Sequence, residues 1–386
     1  MSDTLDDGAN DSANNGANNG ASGPLSGLRI VEFAGIGPAP FAGLVLADFG
    51  ADVTVVERPG GETRLGGGAA LNRGKTIVQA DLKSPAGLAR VRELVAGADA
   101  LIEGFRPGVM ERLGLGPDTL LAAHPTLVYA RLTGWGQTGP LAQRAGHDIN
   151  YVALSGLMPF SARSGQAPTL PATLLGDIGG GALTMLFGLM CALWESRRSG
   201  RGQVVDAAIV DGVGYMGTLI QALRAGGRWD DDPSRNLFLH RSHFYDCFEC
   251  ADGRWLSLGA IEAPFRQELM ARLGLVTTPP LPPSPDDPLQ WPALRDAVAA
   301  RIRQESLAHW VALFEGSDAC VAPVLTAAEA PLHPQQQARR NFFMQDGLAW
   351  PMPAPKLSRT PARPGSPVAA TQRQQELFDS DDIRPE

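Results

Sequence analysis

Alternation of apolar and polar positions divides the chain into short apolar runs and longer stretches of helical period. Leu28 to Phe33 reads as a strand, Phe41 to Phe49 as a helix and Val53 to Glu57 as a second strand, so the opening is a β-α-β unit of a parallel sheet. The pattern continues with strands at Thr76 to Ala80, Ala100 to Glu103 and Leu127 to Leu132, and a helix from Ala86 to Val95. A helix from Ile149 to Leu157, capped by Asp148, and a glycine-rich helix running to Trp194 come next. Gln203 to Val210 reads as a strand ahead of a helix through Tyr215.

Charge and proline rise near Gly226. Beyond that point His243 to Cys250 and Trp255 to Ala260 flank Ala-Asp-Gly-Arg, a hairpin signal that marks a smaller domain with antiparallel strands. Pro279 to Pro292 reads as a proline-rich loop, followed by helices from Trp291 to Arg303 and Leu307 to Phe314 and then by Ala322 to Val324. The tail after Phe343 reads as extended, wrapping back over the first domain or a partner subunit. The expected division is a disordered tail over residues 1–23, a large domain over 24–225, a small α+β domain over 226–334, and a C-terminal segment over 335–386 that returns to the large domain. Residues 1–23 are Asp, Asn, Gly, Ala and Ser with almost no large apolar group, too little to offset ordering entropy.

With 386 residues, two domains are expected. A net charge of -8 and a pI near 5.3 argue against a nucleic-acid or anionic-membrane surface as the main partner, while local arginines still suit a small anionic ligand. Cys191, Cys247, Cys250 and Cys320 make no disulfide framework in a chain this long. Cys247 and Cys250 lie in a strand-like run with no second ligand pair, so half-buried strand thiols are expected rather than a metal site. The uncharged run Ile178 to Trp194 is slightly short for a membrane span and reads as a buried core helix. Neither end carries a targeting signal, so a cytoplasmic protein is the expectation.

Two residues carry chemistry in a way the others do not. His147 stands in a Gly-His-Asp turn, where imidazole suits reversible proton transfer near neutral pH; the plain alternative is a loop histidine bonded to a carbonyl. Asp177 precedes Ile-Gly-Gly-Gly, where it reads as a helix N-cap whose free neighbouring amides would stabilise an oxyanion. Glu262 is a lone acid in an apolar stretch, suited to orienting an imidazole but alone more often a surface charge. Arg58, Lys83, Arg106 and Arg112 follow strand ends, where ligands gather in open α/β sheets, and together suggest a polyphosphate site. The glycine loop Gly35 to Pro40 is rejected as a dinucleotide turn, because Pro38 and Pro40 remove amide donors and the third glycine is missing.

These residues sit within longer motifs: residues 24–29 (Pro-Leu-Ser-Gly-Leu-Arg), 45–53 (Val-Leu-Ala-Asp-Phe-Gly-Ala-Asp-Val), 106–117, 129–140, 146–151 (Gly-His-Asp-Ile-Asn-Tyr), 200–207 and 317–324. In that order they resemble the class III CoA-transferase superfamily and, more narrowly, its α-methylacyl-CoA racemase branch, from about Pro24 to Pro361. The resemblance implies a Rossmann-like large domain and two subunits interlocked like chain links, with each site between the large domain of one and the small domain of the other. It implies His147 and Asp177 as the acid/base pair that epimerises (2R)- and (2S)-2-methylacyl-CoA through an enolate, with Glu262 positioning the histidine. It implies CoA contacts at Arg58, at Ala80, Asp81, Leu82 and Lys83, at Gly104, Phe105 and Arg106, at Arg112, and at Gly146, His147, Asp148, Ile149, Asn150 and Tyr151. The Gly60 to Ala70 loop departs from the family pattern. No metal or cofactor is implied, CoA being part of the substrate. The alternatives are CoA transfer to a carboxylic acid with Asp177 as nucleophile, and a non-catalytic acyl-CoA binder.

Overall fold

The computed structural model describes residues 23–60, 68–163, 166–171, 173–230, 232, 235–236, 238–275 and 288–366. The expected N-terminal tail lies outside them apart from Gly23, as do most of the Gly60 to Ala70 loop and the part of the proline-rich loop up to residue 287. Chain order in the first part is β1 (Arg29–Phe33), α1 (Pro38–Asp48), β2 (Asp52–Glu57), α2 (Gly68–Leu71), β3 (Thr76–Gln79), α3 (Pro85–Ala96), β4 (Ala100–Glu103), α4 (Val109–Arg112), α5 (Pro117–Ala123) and β5 (Val128–Thr133). Then come α6 (Asp148–Leu154), a π-helical stretch Leu174–Leu183 that runs into α7 (Thr184–Ser199), β6 (Val204–Ala208), α8 (Ile209–Met216) and α9 (Thr218–Ala225).

The strands form one parallel sheet in the order β3-β2-β1-β4-β5-β6, with Ile30 opposite both Val53 and Ala100. Successive residues of a strand face opposite sides, and the two cores divide accordingly. Ile30, Ile102, Val128 and Ala130 pack with α1 and α7 on one face; Val31, Leu101 and Tyr129 pack with Val91, Met110 and Leu120 on the other. Strand order reverses between β1 and β4, so their carboxyl ends open a crevice there. The helical stretch Leu174–Ser199 is longer than the run read from sequence and is long and apolar enough to cross a membrane by length and composition. Here Met185, Leu189 and Leu193 bury one side of it in the large-domain core.

A second core gathers round the antiparallel sheet β7 (Tyr245–Glu249), β8 (Trp255–Gly259) and β9 (Val321–Pro323), covered by α10 (Ala263–Arg272), α11 (Trp291–Ile302) and α12 (Leu307–Phe314). Pro292, read as loop, sits in the first turn of α11, where a missing amide costs nothing. A buried carboxylate, Asp246 of β7, is held by Arg163 from the large domain at 2.8 Å, by Arg295 of α11 and by His240 at 2.9 Å. That cluster ties the two parts together. The C-terminal segment is not simply extended: β10 (Phe342–Gln345) and β11 (Leu348–Pro351) pair as a hairpin. Beyond it the amide of Gly365 donates to Asp48 at 3.1 Å, and that of Gly74 donates to Ser366 at 2.8 Å, on the large domain.

Charged residues inside the sheet need partners. Arg131 of β5 binds Glu103 of β4 at 2.7 Å and Glu111 at 2.7 Å, and Lys75 binds Glu32 of β1 at 2.7 Å with both side chains buried. Burial pushes the Glu32 carboxyl up to about 7 and the Lys75 ammonium down, each partly offset by the other. Lys75 also donates to the carbonyl of Pro40 at 2.9 Å, so it fixes the start of α1. Removing one partner strands the other charge. Lys75→Met is expected to cost about 3–5 kcal/mol in urea unfolding, and Glu32→Gln added to it to recover most of the loss; equal costs for single and double variants would contradict the pairing.

Candidate active site

A cavity of about 740 Å³ lies at the carboxyl ends of β1, β4 and β5, at the reversal of strand order. Its wall is built from residues 35–39 after β1, 104–107 after β4, 132–135 at the end of β5, and the approach to α6, with Tyr151, Asp177 and Ile209 behind. His147 and Asp177, distant in sequence, open into it together.

His147 occupies the N-cap position of α6 with an extended backbone, φ -135°. Its amide donates to Asn150 Oδ1 at 3.1 Å and its carbonyl accepts from the Asn150 amide at 2.8 Å, which locks the turn and leaves the imidazole exposed. Tyr151 fixes the loop from behind. Its hydroxyl donates to the carbonyl of Gly146, and its ring meets Trp135 edge-on at 4.7 Å. A Cβ on Gly134 would lie 2.1 Å from that ring and one on Gly146 2.7 Å, so both glycines are required by the tyrosine.

Asp177 is not an N-cap. The helix begins before it, at Leu174, and is of π type, with the Ile178 amide donating to Thr173 at 3.0 Å. Single stretches of this kind re-aim side chains and recur at functional sites. The Asp177 amide is also taken: it donates to Oδ1 of buried Asp148 at 2.7 Å. The expected oxyanion donors beside Asp177 are thus already engaged. The glycines serve helix packing rather than ligand approach, since a Cβ on Gly212 of α8 would lie 1.9 Å from the Gly180 carbonyl and one on Gly180 2.4 Å from Val213. Nor does Asp148 cap α6; as its first residue, it bridges to the π-helical stretch, and Gly176 is small because a Cβ there would sit 2.3 Å from its carboxylate.

Burial, and then the like charge of Asp148, push the Asp177 carboxyl up to about 6, while His147 pulls it down. The imidazole and the carboxyl are therefore within electrostatic reach of each other. Gly37, at positive φ (75°), would bring a Cβ 3.5 Å from Asp177 Oδ2. The loop rejected as a dinucleotide turn is consequently a wall of the site.

Of the expected contact residues, Gly104, Phe105, Arg106, Gly146, His147 and Tyr151 line this cavity. Arg58, Ala80, Asp81, Leu82, Lys83 and Arg112 do not. Ala80 is buried and Asp81 turns back to accept the Lys83 amide at 2.9 Å, next to the Ser84 cap of α3. Asp148, Ile149 and Asn150 act behind the wall or face outward. Glu262 is also elsewhere: it stands at the N-cap of α10, beside Cys320, and no described residue of the small domain lines the cavity. Within one chain it does not orient His147, because α10 is anchored to the second core. Arg144 and Trp135 line the cavity without having been singled out from sequence. Arg144's only signal was its place in a polar turn just before Gly-His-Asp.

Residues 25–369 match the family described as CoA-transferase family III. Alpha-methylacyl-CoA racemase of mouse is 44% identical over 344 residues, covering 89% of this chain and 88% of that protein. The human protein of the same name is 41% identical over 342 residues, 88% of each. The crystal structure of a CaiB/BaiF family protein from Brucella suis superposes with a TM-score of 0.76 over 90% of this chain and 96% of the other, at 28% identity. By that match, and by the Gly-His-Asp turn set beside a half-buried aspartate over a Rossmann-order sheet, the chain belongs to CoA-transferase family III, on its α-methylacyl-CoA racemase branch.

Proposed function

We propose that this chain is an isomerase that interconverts (2R)- and (2S)-2-methylacyl-CoA thioesters. The observation that carries the reading is the opening of His147 and Asp177 into one cavity, within electrostatic reach of each other. A thioester acidifies its α-hydrogen. One of the two groups removes that hydrogen, a planar enolate forms, and the other returns a proton to the opposite face. A carboxyl raised to about 6 suits both directions, because it ionises and reprotonates close to neutral pH. The two racemase relatives support the same chemistry. CoA is the substrate's handle, and the reaction moves neither electrons nor hydride, so no metal or resident cofactor is called for.

The site is completed in this reading by a second copy of the chain. Phe187, Trp194, Tyr215, Leu219, Ile149 and Leu154 are large apolar side chains left exposed on α6 to α9, the elements that flank the catalytic pair. Apolar exposure on this scale supports an interface. The partner's small domain would bring Glu262 to His147, in a cytoplasmic homodimer that is acidic overall and needs no nucleic acid or membrane.

Proton exchange separates this activity from CoA transfer, for which Asp177 would be the nucleophile. In deuterated water, with no acceptor acid, 2-methylacyl-CoA is expected to gain α-deuterium, and Asp177→Ala to lower the rate of inversion by more than about a hundredfold. Exchange that requires an acceptor acid would instead favour transfer, and binding without exchange would favour a non-catalytic binder. Asp148→Asn keeps the acceptor for the Asp177 amide but removes the like charge, so the Asp177 pKa falls. The limb of the pH profile that opens as Asp177 ionises, near pH 6 in the parent, is expected to move to lower pH. A limb that stays in place would show that Asp177 does not control it. Shared sites make a second prediction: co-expressed His147→Ala and Glu262→Ala chains, each impaired in inversion alone, should regain roughly a quarter of the parental inversion rate, because half the dimers are mixed and each mixed dimer holds one intact site. No recovery would place Glu262 outside the partner's site.

A further inference from the structure

Asp177 is carried by a helix in two registers. Leu174–Leu183 is π-helical, a form that mostly occurs as single turns, whereas α7 continues from Thr184 with ordinary i→i−4 pairing. The registers meet at Thr184, whose amide donates to the carbonyl of Gly181. The Gly179 carbonyl, which that amide would take if the i→i−5 register went on, accepts from the Thr184 hydroxyl instead, at 3.0 Å. A side-chain hydroxyl thus stands in for a backbone donor at the point where the pairing changes. Serine and threonine hydroxyls compete with helix pairing in this way and bend the helices that carry them.

The other end of the stretch starts under strain. Thr173 is β-branched and sits at positive φ (62°), and its carbonyl accepts the Ile178 amide at 3.0 Å, an i→i−5 bond. Strain of this kind persists only where neighbouring contacts over-determine it. Two contacts flank Asp177 and do so: its own amide on Asp148 at 2.7 Å, and the Thr184 hydroxyl on Gly179. Without the hydroxyl, the α register of α7 is free to pass back into the stretch. Each bond that shortens from i→i−5 to i→i−4 turns everything ahead of it about the helix axis, and Asp177 turns with it. Thr184 is half-buried and lines no part of the cavity, so its influence on the reaction passes through Asp177.

We infer that Thr184 is a positioning residue for the reaction: its hydroxyl closes the π-helical stretch in the register that aims Asp177 at the substrate carbon, and it has no part in placing His147. The inference rests on the two-base reading above. It makes the two faces of the carbon separable, because a change at Thr184 moves one base and leaves the other, on α6, where it was.

The test follows α-deuterium exchange from each pure enantiomer of a 2-methylacyl-CoA by Thr184→Val, which keeps the side chain's shape without its hydroxyl, and by Thr184→Ser, which keeps the hydroxyl. Thr184→Val is expected to slow inversion about tenfold or more, together with exchange of the enantiomer that Asp177→Ala fails to exchange, since misplacing a group by about 1 Å suffices for such a loss. Exchange of the other enantiomer, through His147, should stay within about twofold of the parent, and Thr184→Ser within about twofold on both. Added to Asp177→Ala, Thr184→Val should remove nothing more, because changes that act through one group do not add. Equal losses on both enantiomers, a further loss in the double variant, or no loss at all would overturn the inference. So would a Thr184→Val chain that does not fold, since the hydroxyl would then hold the domain rather than one side chain. A parent protein that exchanges neither enantiomer, or an Asp177→Ala variant that favours neither, overturns the two-base reading itself, a result distinct from a failure at Thr184.

Discussion

The site depends on one hydrogen bond between two parts of the chain, from the amide of Asp177 to the carboxylate of Asp148 at 2.7 Å. Asp148 follows His147 directly, so the bond joins the turn that carries the imidazole to the helix that carries the acid. It also sets the chemistry. Burial of Asp177, and then the like charge of Asp148 beside it, raise that group's pKa, and a raised carboxyl can both take and give a proton near neutrality. Position therefore comes from this contact, and acidity from burial with the same Asp148 charge added to it.

Close packing makes that contact possible. Gly176 admits the Asp148 carboxylate, and Gly180 and Gly212 let the π-helical stretch and α8 approach until backbone meets backbone. Gly134 and Gly146 do the same for the ring of Tyr151. Glycines that look from sequence like a ligand cradle are here the means by which helices and an aromatic ring come close enough to aim two side chains. The parallel sheet supplies the remaining constraint, since reversal of strand order between β1 and β4 opens the crevice into which both side chains project.

Much of this was legible in the residues. Strands such as Ala100 to Glu103 are buried on both faces and read as continuous apolar runs, and the Asp-Gly hairpin of the small domain follows from its turn chemistry. His147 and Asp177 were found because glycine flanks both. What could not be read was geometry that depends on partners. No local pattern distinguishes a π-helical stretch from an α-helix, so the residues alone present Asp177 as a cap with free donors beside it. Basic residues after strand ends looked equivalent, yet only Arg106 among them turns into the cavity, while Arg144, from an unremarked turn, joins it. The hairpin of Phe342–Gln345 and Leu348–Pro351 was hidden by prolines that suggested an extended tail. Glu262 stands on the small domain, away from the cavity of its own chain, and its expected place is in the site of a partner subunit.

The central claim is that His147 and Asp177 serve opposite faces of one carbon. It is tested most directly by supplying each pure enantiomer of a 2-methylacyl-CoA to His147→Ala and to Asp177→Ala in deuterated water, and following both α-deuterium and configuration. The account predicts complementary behaviour: each variant exchanges the hydrogen of one enantiomer with its configuration retained, the two variants choose opposite enantiomers, and neither inverts the centre. Inversion by either variant at near the parental rate, or a preference of both for the same enantiomer, would contradict it.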